Sequence, residues 1–350
     1  MSARWRVVQW YPPLNEVKPS SVDNAARMFG GGKFWVVTTA TKPLSSSCTI
    51  PFHRKGFGRL TMNRLLTVGY DGSAPSRRAV LWSLTEAKRR GADVKVVACY
   101  SITPMADPWG MTLIPNEFEV IAKSVTADVE KLLAEMTPMA PGINLTSKVV
   151  AGSAATILVE ESEGSDLLII GTTGHGDAEG LFLGSVAHAV SRTCGCPVVL
   201  VPDQELRPLL GRIVVGVDGS PSSDEALIWA TDECDMRDAE LLIVHAWTYA
   251  YGTELGSPQG RDLTMIDAAQ LLEAAAASSR ERGRSRTETE LVEDGPINAL
   301  VDRSDDADLI VIGTRGRGGL RSLLFGSVAH GVARHAWCPT VVLCAKAETE

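Results

Sequence analysis

No stretch of eighteen consecutive apolar residues occurs in this 350-residue chain, so the sequence predicts no membrane span. The opening run, MSARWRVVQWYPPL, has no apolar core of the secretory kind, so a secretory signal is not expected there. No CxxC occurs. The seven cysteines, Cys48, Cys99, Cys194, Cys196, Cys234, Cys338 and Cys344, are odd in number and scattered, and only Cys194 and Cys196 stand close together, as a CxC. That pattern argues against a zinc ribbon or a disulfide framework and for a reducing, cytoplasmic location. A GxxxxGK[ST] loop is absent, because Gly32-Lys33 is followed by Phe34. GxGxxG is absent as well: Gly316-x-Gly318 meets Arg321 three residues on, and Gly174-x-Gly176 meets Glu179. Acidic residues are scarce in residues 1–61, which hold nine Lys/Arg against two Asp/Glu; with a total charge of -8, the remainder carries -15. An acidic body argues against nonspecific binding to nucleic acid, which needs clustered cations against phosphates.

What the chain does contain is one unit written twice. LLTVGYDGS (Leu65 to Ser73) returns as IVVGVDGS (Ile213 to Ser220), and DLLIIGT (Asp166 to Thr172) as DLIVIGT (Asp308 to Thr314). Between Gly171–Pro197 and Gly313–Pro339, 14 of 27 positions are identical, glycines included. Short apolar runs alternate with segments of helical period, such as Phe118, Ile121, Val125, Val129 and Leu132. The pattern predicts strands near 65–70, 94–99, 145–150, 167–170 and 198–201, with helices between them, and the same series from Ile213 to Leu343. Leu167–Ile170 shows no polar alternation, as expected of a strand covered on both faces. The expected fold is α/β: two doubly wound, parallel, five-stranded sheets with helices on both faces, as a tandem repeat. The boundaries are 1–61 for an extension that matches neither copy and is read as poorly ordered, 62–203 for the first domain, 204–211 for a linker and 212–346 for the second domain. Met62 is the expected natural start.

Both copies carry Gly-x2-Gly-x9-Gly-Ser, as Gly171, Gly174, Gly184, Ser185 and as Gly313, Gly316, Gly326, Ser327. Glycine at a strand end lets backbone approach a ligand with no Cβ in the way. The closing Gly-Ser opens a helix whose first N–H groups lack partners, and those groups with the helix dipole favour an anion, most often phosphate. A valine at Gly184 or Gly326 is expected to fill the phosphate space and force unfavourable backbone angles.

From about Met62 to Lys346 the chain resembles a tandem universal stress protein of the ATP-binding branch, through this glycine pattern, the VGxDGS openings and the CPxxxx closing strands. The resemblance implies ATP as ligand, with or without magnesium. It places Asp71 and Asp218 at adenine and ribose, and Val97, Ala98, Val244 and His245 against adenine. It places the glycines with Ser185 and Ser327 at the triphosphate, and Val186, Val328, Arg315 and Arg317 are further candidate cofactor-binding residues, the two arginines for their charge in the second loop. It also implies pairing of the two domains, or of two subunits in a homodimer, through the last strands Val198–Val201 and Val341–Leu343, which would satisfy an open sheet edge.

Other groups carry blander readings. His188 and His330, four residues beyond the closing glycines, are read as structural residues facing the loop. Asp305, Asp306 and Asp308 are read as a solvated cluster, and the basic end of EAAAASSRERGRSR as cations at a helix C-terminus. No carboxylate or histidine is clearly placed to activate water. The first functional reading is therefore an ATP-binding signalling protein with little or no hydrolysis. The alternatives are a slow ATPase or nucleotidyl transferase, and a redox or scaffolding protein with vestigial sites. DGSAPS and DGSPSS lack the SGGxDS form of ATP pyrophosphatase loops, which counts against an enzyme.

Overall fold

The computed structural model describes residues 65–100, 115–174, 183–205, 207–248, 258–314 and 326–343. The extension 1–61 and the loop residues Arg315, Gly316 and Arg317 lie outside the described residues.

The first copy runs β1 (Leu65–Tyr70), α1 (Ala74–Arg90), β2 (Asp93–Tyr100), α2 (Pro115–Met136), β3 (Leu145–Ala151), α3 (Ala154–Glu161), β4 (Leu167–Gly171), α4 (Ser185–Thr193) and β5 (Val198–Val201). The second runs β6 (Arg212–Gly216), α5 (Pro221–Arg237), β7 (Glu240–Trp247), α6 (Pro258–Arg282), β8 (Thr287–Glu293), α7 (Pro296–Val301), β9 (Leu309–Gly313), α8 (Ser327–His335) and β10 (Thr340–Leu343). These elements form where the apolar periodicity places them. The helices start and stop on local chemistry. Ser73 caps α1 by accepting from the Ser76 N–H, and Ser220 caps α5 by accepting from the Ser223 N–H. Gly91, in the left-handed region at φ 63°, ends α1.

The strands form one ten-stranded sheet in the order β3-β2-β1-β4-β5-β10-β9-β6-β7-β8. Pairing is parallel within each half and antiparallel between β5 and β10, with Val341 opposite Val199. The two sheets expected from the sequence are thus joined edge to edge, which removes an open edge from each half. Leu66, Val68, Leu168, Ile169, Val198 and Val199 are fully buried, as are Ile213, Val214, Ile310 and Val342. One apolar layer lies under α1, α2, α5 and α6, and a second under α3, α4, α7 and α8. Both layers run across the β5–β10 seam.

A buried charge cluster crosses the same seam. Arg90 on α1 donates from Nε to Glu86 (2.6 Å) and from Nη2 to Glu233 on α5 (2.6 Å). Arg237 on α5 donates from Nε to Glu233 (2.6 Å) and pairs through Nη2 with Glu86 (2.9 Å). None of the four side chains is more than 4% exposed. The flanking arginines hold the Glu86 carboxyl below the usual range against the opposing effect of burial.

Gly171 and Gly313 are held by packing. A Cβ on Gly171 would meet Pro75 Cβ at 2.8 Å and the Ser76 N at 3.0 Å; one on Gly313 would meet the Ser222 carbonyl O at 2.6 Å. Both glycines let the first turn of a helix lie against the end of a neighbouring strand. Gly313→Ala should therefore destabilise the chain by about 1–3 kcal/mol through overpacking against backbone. Urea melts of the full chain check this, and an unchanged midpoint would show that the helix start can retreat without cost.

Candidate functional site

In each half the strand order reverses between the first and fourth strands, β1 beside β4 and β6 beside β9. Crevices outside strand carboxyl ends at such a point are where open α/β sheets take ligands. Asp71 follows β1, and its Oδ1 accepts from the Ser73 N–H at 3.0 Å and from the Ser73 hydroxyl. Asp218 follows β6 and accepts from the Ser220 N–H at 3.0 Å. Ser76 Oγ donates to the Ser73 carbonyl (2.9 Å), and Ser223 Oγ to the Ser220 carbonyl (2.9 Å). Gly72 and Gly219, at φ 85° and 72°, supply the left-handed residue that each tight turn requires. The two Asp-Gly-Ser turns are therefore built alike down to their second layer of serines.

The other wall is the helix start. The Gly184 N–H donates to the Thr172 carbonyl, and the Gly326 N–H to the Thr314 carbonyl, each at 2.8 Å. These bonds bring α4 and α8 back to the ends of β4 and β9. Neither helix has a side-chain cap. Ser185 and Ser327 are exposed at the first position, with Val186 and Val328 half-buried beside them. Gly184 and Gly326 adopt φ -56° and -66°, ordinary extended angles, so the expectation of a special backbone conformation there is corrected. What favours glycine at 326 is proximity: a Cβ would stand 2.9 Å from the Thr314 carbonyl O.

Gly174 and Asp71 converge, since a Cβ on Gly174 would lie 2.7 Å from Asp71 Oδ2. Thus the first-copy aspartate and a glycine of the loop share one spot, although 103 positions separate them in sequence. A cleft of about 320 Å³ opens beside Asp71, lined by Tyr70, Arg77, Asp128, Lys131 and Glu135 among others. Arg77 pairs with Glu135 across it. Burial raises the Tyr70 phenol above its ordinary pKa, with Arg77 opposing, so Tyr70 stays protonated.

Val97 and Val244 are 1% and 2% exposed and belong to the apolar layer under α3, α4, α7 and α8. Ala98, beside Tyr70, and His245 occupy the next positions. His245 Nδ1 lies 2.7 Å from the Val217 carbonyl, which ties it to the end of β6. Ala98 has no such tie, so the two halves differ here.

His188 and His330 meet each other across the seam, with ring centroids 6.4 Å apart and planes at 71°. The expectation that they face the loops missed this contact. Burial, with Arg192 and His330 adding positive charge, holds His188 below the ordinary histidine pKa. The unfolded chain then binds that proton at higher pH than the folded chain does. The stability linked to His188 is complete above the unfolded value of about 6.5 and declines as pH falls below it. His188→Gln should accordingly flatten the drop in melting temperature between about pH 7.5 and about pH 5.5. An unchanged slope would assign the drop to other groups.

Two bland readings fare differently. Asp308 is not simply solvated: its carboxylate accepts from the Leu210 N–H (2.6 Å) and the Gly211 N–H (2.9 Å), anchoring the linker to β9. At the basic end of α6 and just beyond it, Arg282 pairs with Asp232 and Arg286 with Glu240 and Glu288. The buried cluster was missed by sequence reading, yet a signal existed: Glu86 and Arg90 recur as Glu233 and Arg237, 147 positions on, as do Asp71 and Asp218. Among the described residues no helix is long and apolar enough to cross a membrane, and no group of three His, Cys, Asp or Glu is placed to hold a metal.

Comparison with known proteins agrees with this architecture. The Universal stress protein family profile matches residues 62–202 and 210–343. Two universal stress proteins of Mycobacterium tuberculosis are 32% identical over 294 residues and 31% over 287; each alignment covers 79% of this chain, and 96% and 95% of the relative. The crystal structure of a universal stress protein from Archaeoglobus fulgidus superimposes with a TM-score of 0.57 at 21% identity, over 83% of this chain and 98% of that one. A functionally unknown protein from Pseudomonas aeruginosa gives 0.56 at 19%, over 80% and 92%, and shares the fold. Two family matches in tandem, one for each half of the sheet, establish that this chain belongs to the universal stress protein family.

Proposed function

We propose that the protein binds ATP at two sites, one in each half, and acts through occupancy of those sites, with little or no hydrolysis. One observation carries the reading. At each switch point an Asp-Gly-Ser turn and an uncapped Gly-Ser helix start are held beside adjacent strand ends, by the same hydrogen bonds in both halves. The helix start offers N–H groups and a dipole to phosphate. Asp71 and Asp218 offer carboxylate oxygens to sugar hydroxyls. Gly174, with no Cβ, lets the Asp71 carboxylate lie directly against the loop backbone, which keeps the sugar-binding and phosphate-binding walls of the first site together. A hydrolase would need a group aimed at water beside the terminal phosphate. Nucleotide retained through purification, followed by a timed assay for ADP, tests the reading. Bound ATP that persists over hours supports it; steady release of ADP favours the ATPase, and no nucleotide at any concentration favours a vestigial site.

The two sites should differ in strength. The second loop carries Arg315, Arg317 and Arg321 where the first has Thr173, His175 and Glu179. A unit charge about 8 Å away at an effective dielectric of about 20 contributes about 2 kcal/mol before screening. Screening and side-chain motion leave roughly 1–2 kcal/mol, a preference of about five- to thirtyfold for the second site. ATP titrations of Gly326→Val, which keeps the first site, and Gly184→Val, which keeps the second, measure it. Equal affinities in low magnesium would refute the charge argument. Equality only with magnesium would make Asp177 and Glu179 metal ligands.

A further inference from the structure

We propose that Cys194 and Cys196 form a redox-active dithiol that small peroxides close to a disulfide and small thiols reopen. The pair sits in the turn between α4 and β5, away from both Asp-Gly-Ser turns. Cys194 caps the end of α4, its N–H donating to the Val190 carbonyl at 2.9 Å. Gly195 lies exposed at the tip, and the chain folds back so that the two sulfurs stand 3.4 Å apart. A disulfide needs about 2.05 Å, so closure asks for about 1.4 Å of approach within a glycine-centred turn.

The surroundings fit a nucleophile. Ser162 Oγ lies 3.3 Å from Cys194 Sγ. The Cys196 thiol hydrogen bond brings the Cys194 pKa down to about 6 against the effect of burial, with Ser162 and the backbone at Gly195 and Cys196 assisting. The lowered pKa favours the thiolate, which is the reactive form. Burial drives three thiols outside the pair the opposite way, Cys99 up to about 11 and Cys234 and Cys338 up to about 12. The second half supplies an internal control. Cys338 holds the place of Cys196, but Ala336 stands where Cys194 would be.

Access selects the oxidant. Cys194 is 3% and Cys196 8% exposed, under a turn whose Arg192, Thr193 and Gly195 are open to solvent. A peroxide reaches such a site where a protein disulfide would not. In the forward reaction the Cys194 thiolate attacks one peroxide oxygen, the O–O bond breaks, and the departing hydroxide takes up a proton as water. The resulting sulfenic acid is attacked by Cys196 sulfur; the S–O bond breaks, the S–S bond forms, and the second hydroxide leaves with the Cys196 proton. Two thiols and one hydrogen peroxide give one disulfide and two waters, with two electrons passing from sulfur to oxygen. Two molecules of a small thiol reverse the change by thiol–disulfide exchange and leave as their own disulfide.

The test is peptide mapping of the full chain after hydrogen peroxide, with alkylation under denaturing conditions. The peptide that spans both cysteines should lose two hydrogens and both alkylation sites, while Cys234 and Cys338 stay fully alkylated, and dithiothreitol should restore the sites. In Cys196→Ser, dimedone should label Cys194 at least about tenfold faster than Cys338. The proposal is overturned if the pair stays alkylatable until Cys338 also reacts. A sulfinic acid on Cys194 with no disulfide overturns it, and so does a disulfide to any other cysteine. The unmutated chain decides these outcomes even if the variant fails to fold.

Discussion

Glu233→Ala should destabilise the full chain by about 3–5 kcal/mol. The carboxylate is fully buried and receives Arg90 from one helix and Arg237 from another. Its removal leaves two buried guanidinium groups sharing Glu86 alone. Neither can reach water without opening the contact between α1 and α5. The cost arises from the uncompensated charge and not from the intrinsic worth of the pairs. The companion variant therefore discriminates: replacing all four members, Glu86, Arg90, Glu233 and Arg237, by apolar residues of similar volume should be near neutral or stabilising by up to about 4 kcal/mol. Chemical denaturation of both variants measures this. A Glu233→Ala midpoint within about 1 kcal/mol of the parent would mean that water or a rearranged arginine already compensates the cluster.

Gly184→Val combined with Gly326→Val should abolish ATP uptake. Both residues open the helices whose N–H groups are proposed to hold phosphate, and the branched side chains would project where the triphosphate passes. The structure adds a stability term at one of the two. At Gly326 the new Cβ meets the Thr314 carbonyl, so a loss of about 1–3 kcal/mol is expected from overpacking. It does not come from the backbone angles, which suit any residue. Equilibrium dialysis with ATP, alongside a melting curve showing that the variant is folded, decides the matter. Full ATP uptake by the folded double variant would remove the helix starts from the site.

How much of this was visible in the chain itself depends on the distance over which each feature is determined. The elements were legible. The helix expected between the first two strands forms as α1, Ala74–Arg90, and buries Ala79, Trp82, Leu84 and Ala87 on one face. β4 and β9 were legible because a buried parallel strand is apolar throughout. These are local matters of period. The repeat made them firmer, since two independent copies had to agree.

The candidate site was half legible. The glycine spacing marked where backbone must come close, but not what it comes close to. Gly174 faces Asp71, whereas Gly171 and Gly313 face the first turns of α1 and α5, a packing role that spacing alone cannot separate from a ligand role. The resemblance to a known family implied the pairing of last strands; the register of Val341 on Val199, and the single sheet that results, belong to the tertiary structure. So do the meeting of His188 with His330 and the closing of Glu86, Arg90, Glu233 and Arg237 into one cluster. In both cases the partners are about 140 residues apart and neither half contains the whole arrangement. Periodicity assigns each side chain to a face of its own helix, but which other face it meets is settled by how two sheets join at an edge, and that is a long-range property of the folded chain.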